Sequence, residues 1–171
     1  MTPKVELEPA GPETRATLDA LFQLYTHDFS DHWAGTDRGE LGEDGRFPAY
    51  PYLDSYWTEA SRWPYLLRVG GHLAGFVLIN DVAHSGRPID FSVAEFFVVR
   101  KHRRGGVGKA AARSAIAGRP GQWELAVARK NTAAQAFWRG VAADLGAPGT
   151  VEERDHDDDL WNGLIIRFMV V

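Results

Sequence analysis

The feature that most constrains the fold is a strand that leads through a basic, glycine-rich loop into a helix. The run Phe91 to Val99 is rich in aromatic and β-branched residues and apolar on both alternating faces, as in a central strand covered on both sides. The loop Arg103 to Gly108 follows, and small residues then predict a helix up to Ala117. Glycine lets backbone N–H groups approach phosphate oxygens, and a helix N-terminus adds positive potential. The sequence therefore predicts an anion site at this loop.

Three generic interpretations compete for the loop. One is a tight surface turn with solvated arginines. A Walker A loop is excluded because Ala110 stands where that motif needs Ser or Thr, and Arg103 stands where it needs glycine. A dinucleotide fingerprint fits Gly106 to Ala111, but only about 60 residues follow, too few for the remaining parallel strands of that fold.

The rest of the chain alternates strand and helix patterns. In order, they predict an edge strand at Val5 and Leu7, a helix containing Leu18 to Tyr25, a long loop from Asp28 to Pro48, a helix from Leu53 to Ala60 stopped by Pro64, a hairpin turning at Gly70-Gly71, a fifth strand from Trp123 to Val127, a helix capped at Thr132 and ending at Gly146, and two closing strands. No repeat or linker interrupts them, so residues 1–171 are predicted to form one domain.

Composition excludes several classes of function. The chain has no cysteine, which rules out disulfides, zinc–thiolate sites and a cysteine nucleophile. Its net charge of -4 disfavours general nucleic-acid binding, and without a signal pattern or a long apolar run we expect a cytoplasmic protein that contacts no membrane. We also expect no metal. Asp155 to Asp159 resembles the start of a calcium loop, but Leu160 and Ile166 occupy the positions that need glycine and glutamate, which predicts a solvated turn.

A family resemblance narrows the interpretation of the loop. Arg103-x-x-Gly106-x-Gly108 follows the strand Glu95 to Val99, and Asn131 and Phe137-Trp138 come about 30 residues later. With the order of elements over nearly the whole chain, this resembles the GNAT acetyltransferase superfamily. The resemblance implies an α/β (α+β) fold, a single three-layer domain with a mixed, mostly antiparallel central sheet of about six to seven strands flanked by helices.

The resemblance also implies an activity. Acetyl-CoA would be the co-substrate, and its acetyl group would pass directly to an amine on a small molecule or peptide. Two alternatives stay open: a non-catalytic module that binds acetyl-CoA or CoA, and a transferase that uses a different acyl-CoA. The oligomeric state is also open, a homodimer included.

Most binding roles follow from the resemblance. The loop would hold the coenzyme pyrophosphate, with Arg104, Gly106, Gly108 and Lys109 at the phosphates and Gly105 and Val107 also in the binding loop. Arg103 would support either the loop or a phosphate. The central strand would splay from its neighbour and expose the backbone of Phe97, Val98 and Val99 to the pantetheine arm, with the Val98 N–H as candidate oxyanion donor.

Three downstream residues have both a coenzyme role and a structural one. Asn131 would contact the pantetheine; it could instead cap a helix, but Thr132 is expected to do the capping. Phe137 and Trp138 would cover the coenzyme arm, or they pack in the core.

Glu95 is the candidate general base. It is predicted to share a strand face with Val93 and Phe97, where burial would raise the pKa of its carboxyl towards the range useful to a base. A glutamate near this point deprotonates the amine in many family members. The alternative is a structural ion pair between Glu95 and an arginine.

Trp138 departs from the family pattern. Many members carry a tyrosine there, whose phenol protonates the departing thiolate, and an indole N–H is far too weak an acid for that. Either another group serves, such as Tyr25, Tyr56, His102 or water, or the thiolate leaves unprotonated.

The acceptor site has two candidate sources. The acidic loop from Asp28 to Asp44 could attract cationic amines, or it is simply a hydrophilic loop. Tyr50, Tyr52, Tyr56 and Trp57 could form an aromatic wall for the acceptor, or they pack the second helix.

Overall fold

The structure, a computed structural model, describes residues 4–171. Within them the strands are β1 (Val5–Pro9), β2 (Arg62–Val69), β3 (His72–Asn80), β4 (Phe91–Val98), β5 (Gly121–Ala128), β6 (Glu152–Asp157) and β7 (Asn162–Val170). The α-helices are α1 (Arg15–Ser30), α2 (Ser55–Thr58), α3 (Val107–Ile116) and α4 (Thr132–Leu145). None of these helices is long and apolar enough to cross a membrane.

All seven strands join one sheet in the order β1-β2-β3-β4-β5-β7-β6. Neighbours are antiparallel except for β4 and β5, which run parallel. That one parallel pair is short: Phe91 pairs with Trp123 and Ser92 with Glu124, and beyond Ser92 the two strands separate. The mostly antiparallel sheet and the splayed central strand are confirmed.

Helices cover both faces of the sheet and give the predicted three layers. On one face, α3 and α4 pack over a core that contains Trp123, Ile166 and Phe168. On the other, α1 and α2 pack over Phe76 and Leu78. The apolar pattern of β4 on both faces follows from this double cover.

The hairpin prediction is confirmed. β2 and β3 pair from Val69 and His72 onwards, and the turn between them is Gly70-Gly71. Both glycines have positive φ, 57° and 80°, which L side chains rarely adopt and which a two-residue hairpin turn requires.

Two local predictions were wrong in their bounds. The second helix is only the four residues of α2, and Pro64 lies inside β2 instead of ending a helix. The proline is tolerated because β1 ends opposite Tyr65. Pro64 O still accepts the Ala10 N–H at 3.0 Å, and the Ala10 carbonyl, to which proline cannot donate, accepts the Trp57 indole N–H at 2.8 Å. The predicted turn at Asp155 is also shorter, since β6 continues to Asp157 before the chain turns into β7.

A buried ion pair stabilises the sheet at the end where β4 and β5 are paired. Glu124 and Arg167 are directly paired on β5 and β7, and Arg167 Nη1 donates to Glu124 Oε2 at 2.8 Å. Glu124 also accepts the N–H groups of His84 and Ser85 at 2.7 and 3.1 Å, and Arg167 Nη2 donates to Pro88 O at 2.8 Å. Both charges therefore hold the β3–β4 connection against the sheet.

We expect Arg167→Met to destabilise the fold by about 3–5 kcal/mol, because it leaves the Glu124 carboxylate buried without its partner. Denaturant unfolding at neutral pH measures this. The matched control is Arg139→Met, since Arg139 pairs with Glu153 through its Nε on the surface, where removal should change little. Equal effects of the two substitutions would contradict the account.

Candidate active site

The separation of β4 from β5 opens two cavities that meet. The smaller, about 550 Å³, lies at the glycine loop, and the larger, about 740 Å³, lies beside α1 and the loop that follows it. Residues that line both cavities include Tyr25, Phe96, Asn131 and Trp138. A ligand in either cavity therefore reaches the same junction beside β4.

The smaller cavity is built on the predicted glycine loop. Gly106 is the N-cap of α3 and has a φ of 81°, and Arg104 also has a positive φ, 64°. A Cβ on Gly108 would lie 3.4 Å from the Phe137 ring, which is already contact distance. The loop is thus shaped so that backbone comes close to whatever occupies the cavity, at the positive end of a helix.

The basic side chains of the loop differ in their partners. Arg103 supports the loop: its Nε donates to Val98 O at 2.6 Å, and it pairs with Asp28. Lys109 is paired with Asp144 at 2.6 Å. Arg104 lines the cavity and has no ion pair within residues 4–171, so it is the charge most available to a phosphate.

Three residues of the predicted site do not line this cavity. Val107 is buried against the sheet in a cluster with Ala111. The Val99 N–H donates to Ala74 O on β3 at 2.8 Å, and Gly105 lies outside the lining. A local motif gives the loop but not which of its residues turn inwards.

The Val98 amide faces the opening. Amides alternate in direction along a strand, and the Val99 N–H already points to β3, so the Val98 N–H points to the side of β5. β5 has separated from β4 by this point, which leaves that donor free for a ligand. Phe97 and Val98 both line the smaller cavity.

Asn131 is the N-cap of α4, contrary to the expectation that Thr132 would cap. Its side chain accepts the Ala134 N–H at 3.2 Å, because the chain enters the helix one residue earlier than the Thr–Gln spacing suggested. Gln135 donates to the carbonyls of Ala128 and Arg129 instead of closing a capping box. Asn131 still lines both cavities.

The two aromatic residues of α4 pack in the core and also line the smaller cavity. Trp138 is buried and packs edge-on against Phe96 with ring centroids 5.1 Å apart, and Phe137 stacks on Phe96 at 5.8 Å. Both also line the smaller cavity. They belong to the core and form the wall of the opening at once.

Glu95 lines the larger cavity beside the junction, and its carboxyl has a perturbed pKa. Burial raises its pKa to about 7, against the opposing effect of hydrogen bonds from Tyr25 and Tyr50. Tyr25 Oη donates to Glu95 Oε2 at 2.7 Å. No arginine, lysine or histidine of the described chain forms an ion pair with Glu95, so the ion-pair alternative is wrong.

The prediction of a shared face for Glu95 needs one correction. Leu78 pairs with Glu95 and Ile79 with Val93, so a bulge at Ala94 interrupts β4. Val93 therefore packs with the α3–α4 core, while Glu95 and Phe97 face α1. The bulge turns Glu95 towards Tyr25.

Fewer candidates remain for the acid that would protonate the leaving thiolate. Tyr56 and His102 line neither cavity. Tyr25 lines both, but burial together with the adjacent Glu95 raises the pKa of its phenol well above 10. A phenol held this firmly to its proton is a poor acid.

The larger cavity is aromatic and carries little charge. The predicted acidic loop contributes Phe29, Trp33 and Gly39 to it but no acidic side chain, and Asp28 is engaged with arginines. Tyr50 and Tyr52 line the wall as the aromatic alternative predicted. Tyr56 and Trp57 instead pack the core, and the Trp57 indole donates to Ala10 O at 2.8 Å.

Sequence reasoning missed the polar residues of the larger cavity. They are Arg62, Asn80, His84 and Ser92. Burial lowers the pKa of His84, so its ring is uncharged at neutral pH. These side chains come from three strands and a connection, and only the register of the sheet brings them together.

Comparison with known proteins agrees with this architecture. The model of the Acetyltransferase (GNAT) family matches residues 18–141. An acetyltransferase from Thermus thermophilus is similar with a TM-score of 0.67 at 16% identity, over 99% of both chains. The GNAT domain of S. lividans PAT gives 0.61 at 15% identity, over 97% of this chain and 90% of that one. PaiA N-acetyltransferase from Thermoplasma acidophilum, in complex with coenzyme A, gives 0.57 at 13%, over 97% and 99%.

A search of curated proteins gave no significant match. At these identities the solved structures show a common fold, and the family match adds the sequence evidence over more than half of the 171 residues. The chain therefore belongs to the GNAT acetyltransferase family.

Proposed function

We propose that the protein is an N-acetyltransferase that passes the acetyl group of acetyl-CoA directly to an amine. The observation that carries the proposal is the Glu95 carboxyl, which has a pKa of about 7, lines the larger cavity and accepts a hydrogen bond from Tyr25, a residue that lines both cavities. A carboxyl with this pKa can take a proton near neutral pH and release it again.

The smaller cavity fits the coenzyme. The turned backbone of Gly106, the N-terminus of α3 and the unpaired Arg104 together suit the pyrophosphate. The part lined by Phe137 and Trp138 suits the pantetheine arm. When bound, the coenzyme supplies an acyl group activated as a thioester.

Glu95 and the Val98 amide then have separate roles in the reaction. Glu95 accepts a proton from the amine, whose nitrogen forms the new C–N bond as the C–S bond breaks. The Val98 N–H donates to the carbonyl oxygen while that oxygen gains negative charge. The sulfur leaves as a thiolate. A thiol-like pKa of about 8.5 makes this tolerable although Trp138 stands where a tyrosine would protonate the sulfur.

Arg104→Glu should weaken acetyl-CoA binding at least about tenfold, because a carboxylate replaces the free cation beside the phosphates. Isothermal titration calorimetry measures this. Arg113→Glu is the charge-matched control, since Arg113 is exposed on α3, the helix that follows the loop, and lines neither cavity. Equal affinities in both variants would move the phosphate site elsewhere.

Glu95→Gln should lower kcat by about 100- to 10,000-fold with little change in coenzyme affinity, because the amide accepts no proton. In the parent protein, kcat/KM should rise with pH and level off above about 7, the pKa of Glu95 in the free protein. Steady-state kinetics over a pH series measure both effects. A variant with an unaltered rate at every pH would remove Glu95 from the chemistry.

The same substitution should have the opposite effect on stability. The folded pKa of Glu95 is raised, so its stabilising contribution is complete below the unfolded pKa and is lost as pH rises through about 7. As the pH rises from well below to well above this window, the free energy of unfolding of Glu95→Gln should therefore increase by about 3 kcal/mol relative to that of the parent. Urea unfolding at both ends of the window tests it, and a constant difference would contradict the raised pKa.

A non-catalytic coenzyme-binding module is the alternative that Trp138 suggests. Thiol release from acetyl-CoA, measured over a panel of amines, distinguishes the two. Binding of acetyl-CoA with thiol release at the hydrolysis background for every amine would favour the module.

A further inference from the structure

A row of polar side chains crosses the sheet beneath the larger cavity, at the end away from the glycine loop. In register, Arg62 pairs with Asn80, Asn80 with Ser92, Ser92 with Glu124, and Glu124 with Arg167. Directly paired residues on neighbouring strands point to the same face. Polar residues from five strands therefore form one line on the α1 side of the sheet.

The two ends of this row differ. Glu124 and Arg167 neutralise each other under the β3–β4 connection. At the other end, Arg62, Asn80 and Ser92 line the cavity. Structural bonds thus explain one end of the row and leave the function of the other end open.

The cavity end keeps unused hydrogen-bond donors. Arg62 Nε donates to the surface carboxylate of Glu59 at 2.6 Å, and the guanidinium also hydrogen-bonds the Tyr56 hydroxyl, which leaves further N–H groups of the five it carries. Its guanidinium carbon lies 5.4 Å from the centre of the Tyr56 ring. The Ser92 residue is 1% exposed, and it lines the cavity beside Asn80. A ligand that accepts hydrogen bonds would use the Nη donors of Arg62 and the Ser92 hydroxyl.

We propose that Arg62 and Ser92 bind a carboxylate on the acceptor while the acceptor amine lies at Glu95. This rests on the proposed function, because it assigns the amine to Glu95. Arginine is suited to a carboxylate, since its planar guanidinium can donate two parallel hydrogen bonds to it.

Register sets the separation of the two groups. Leu78 pairs with Glu95 and Asn80 with Ser92, so Glu95 and Ser92 lie two residues apart along β3, about 7 Å. Arg62 lies two strands away from β4, about a further 10 Å across the sheet. A ring-sized spacer fits between amine and carboxylate, whereas an α-amino acid carries both groups on one carbon and is too short.

The walls suit such a spacer and disfavour a polyamine. Phe22, Trp33, Tyr50 and Trp161 are among the aromatic lining residues. Glu95 is the only acidic side chain among the described residues that line the cavity. A second or third ammonium group would find no carboxylate there.

The test compares 4-(aminomethyl)benzoate with benzylamine, which differ only in the carboxylate. Calorimetry on the CoA-saturated protein should show tighter binding of 4-(aminomethyl)benzoate, and Arg62→Met should reduce its advantage about 10- to 100-fold. Glu59→Gln should increase the advantage, because it removes the carboxylate that competes for Arg62. Arg139→Met is the matched control, since Arg139 pairs with a surface glutamate in the same way and lines neither cavity.

Binding and transfer separate the two proposals. Equal binding of the two amines, or an advantage that survives Arg62→Met, overturns the carboxylate subsite whether or not either amine is acetylated. Binding that depends on Arg62 without thiol release keeps the subsite and overturns the transferase. Glycine and spermidine test the spacer and the charge, and tighter binding of either one than of 4-(aminomethyl)benzoate also overturns the proposal.

Discussion

The separation of β4 from β5 after two paired residues is the constraint on which the rest of the structure depends. Adjacent strands in a sheet normally satisfy each other's backbone groups, and an unpaired buried amide is costly. Here Arg103 satisfies the Val98 carbonyl from the glycine loop, while the Val98 N–H stays available. At the other end, Glu124 and Arg167 hold β5 and β7 to the β3–β4 connection. The sheet is fastened at one end and open at the other, and both cavities meet in the opening.

A single bulge places the reactive carboxyl in that opening. Ser92 and Glu95 are three residues apart, so strict alternation would put them on opposite faces of β4, and the bulge at Ala94 offsets that alternation by one residue. With it, both face α1, where Tyr25 donates to the carboxylate and burial disfavours its charge. Burial outweighs the tyrosine hydrogen bonds, and no cation offsets it, so the pKa of Glu95 settles at about 7. The same bulge brings the polar row of Arg62 and Ser92 to the face that carries Glu95.

Local patterns predicted what depends on a few consecutive residues. The strand, the glycine loop and the helix after it are contiguous, so the coenzyme side and Glu95 could be found from the sequence, as could the hairpin at Gly70-Gly71. Asn131 shows the limit, because which of two adjacent polar residues caps a helix depends on how the chain enters it. Arg62 and Ser92 show a larger limit: they are far apart in the chain, and only cross-strand register joins them. Burial of β4 was predictable from its apolar faces, but the bulge that redirects Glu95 was not.

The central claim is that a carboxyl which burial keeps neutral at low pH stands beside the junction of a coenzyme cavity and an amine cavity. Carbon-13 NMR titration of the Glu95 side-chain carboxyl in the folded protein, assigned by comparison with Glu95→Gln, tests it most directly. We expect a midpoint at about pH 7 and a carboxyl resonance that shifts when coenzyme A is added. A midpoint at the ordinary glutamate value of about 4.5, insensitive to coenzyme A, would contradict it.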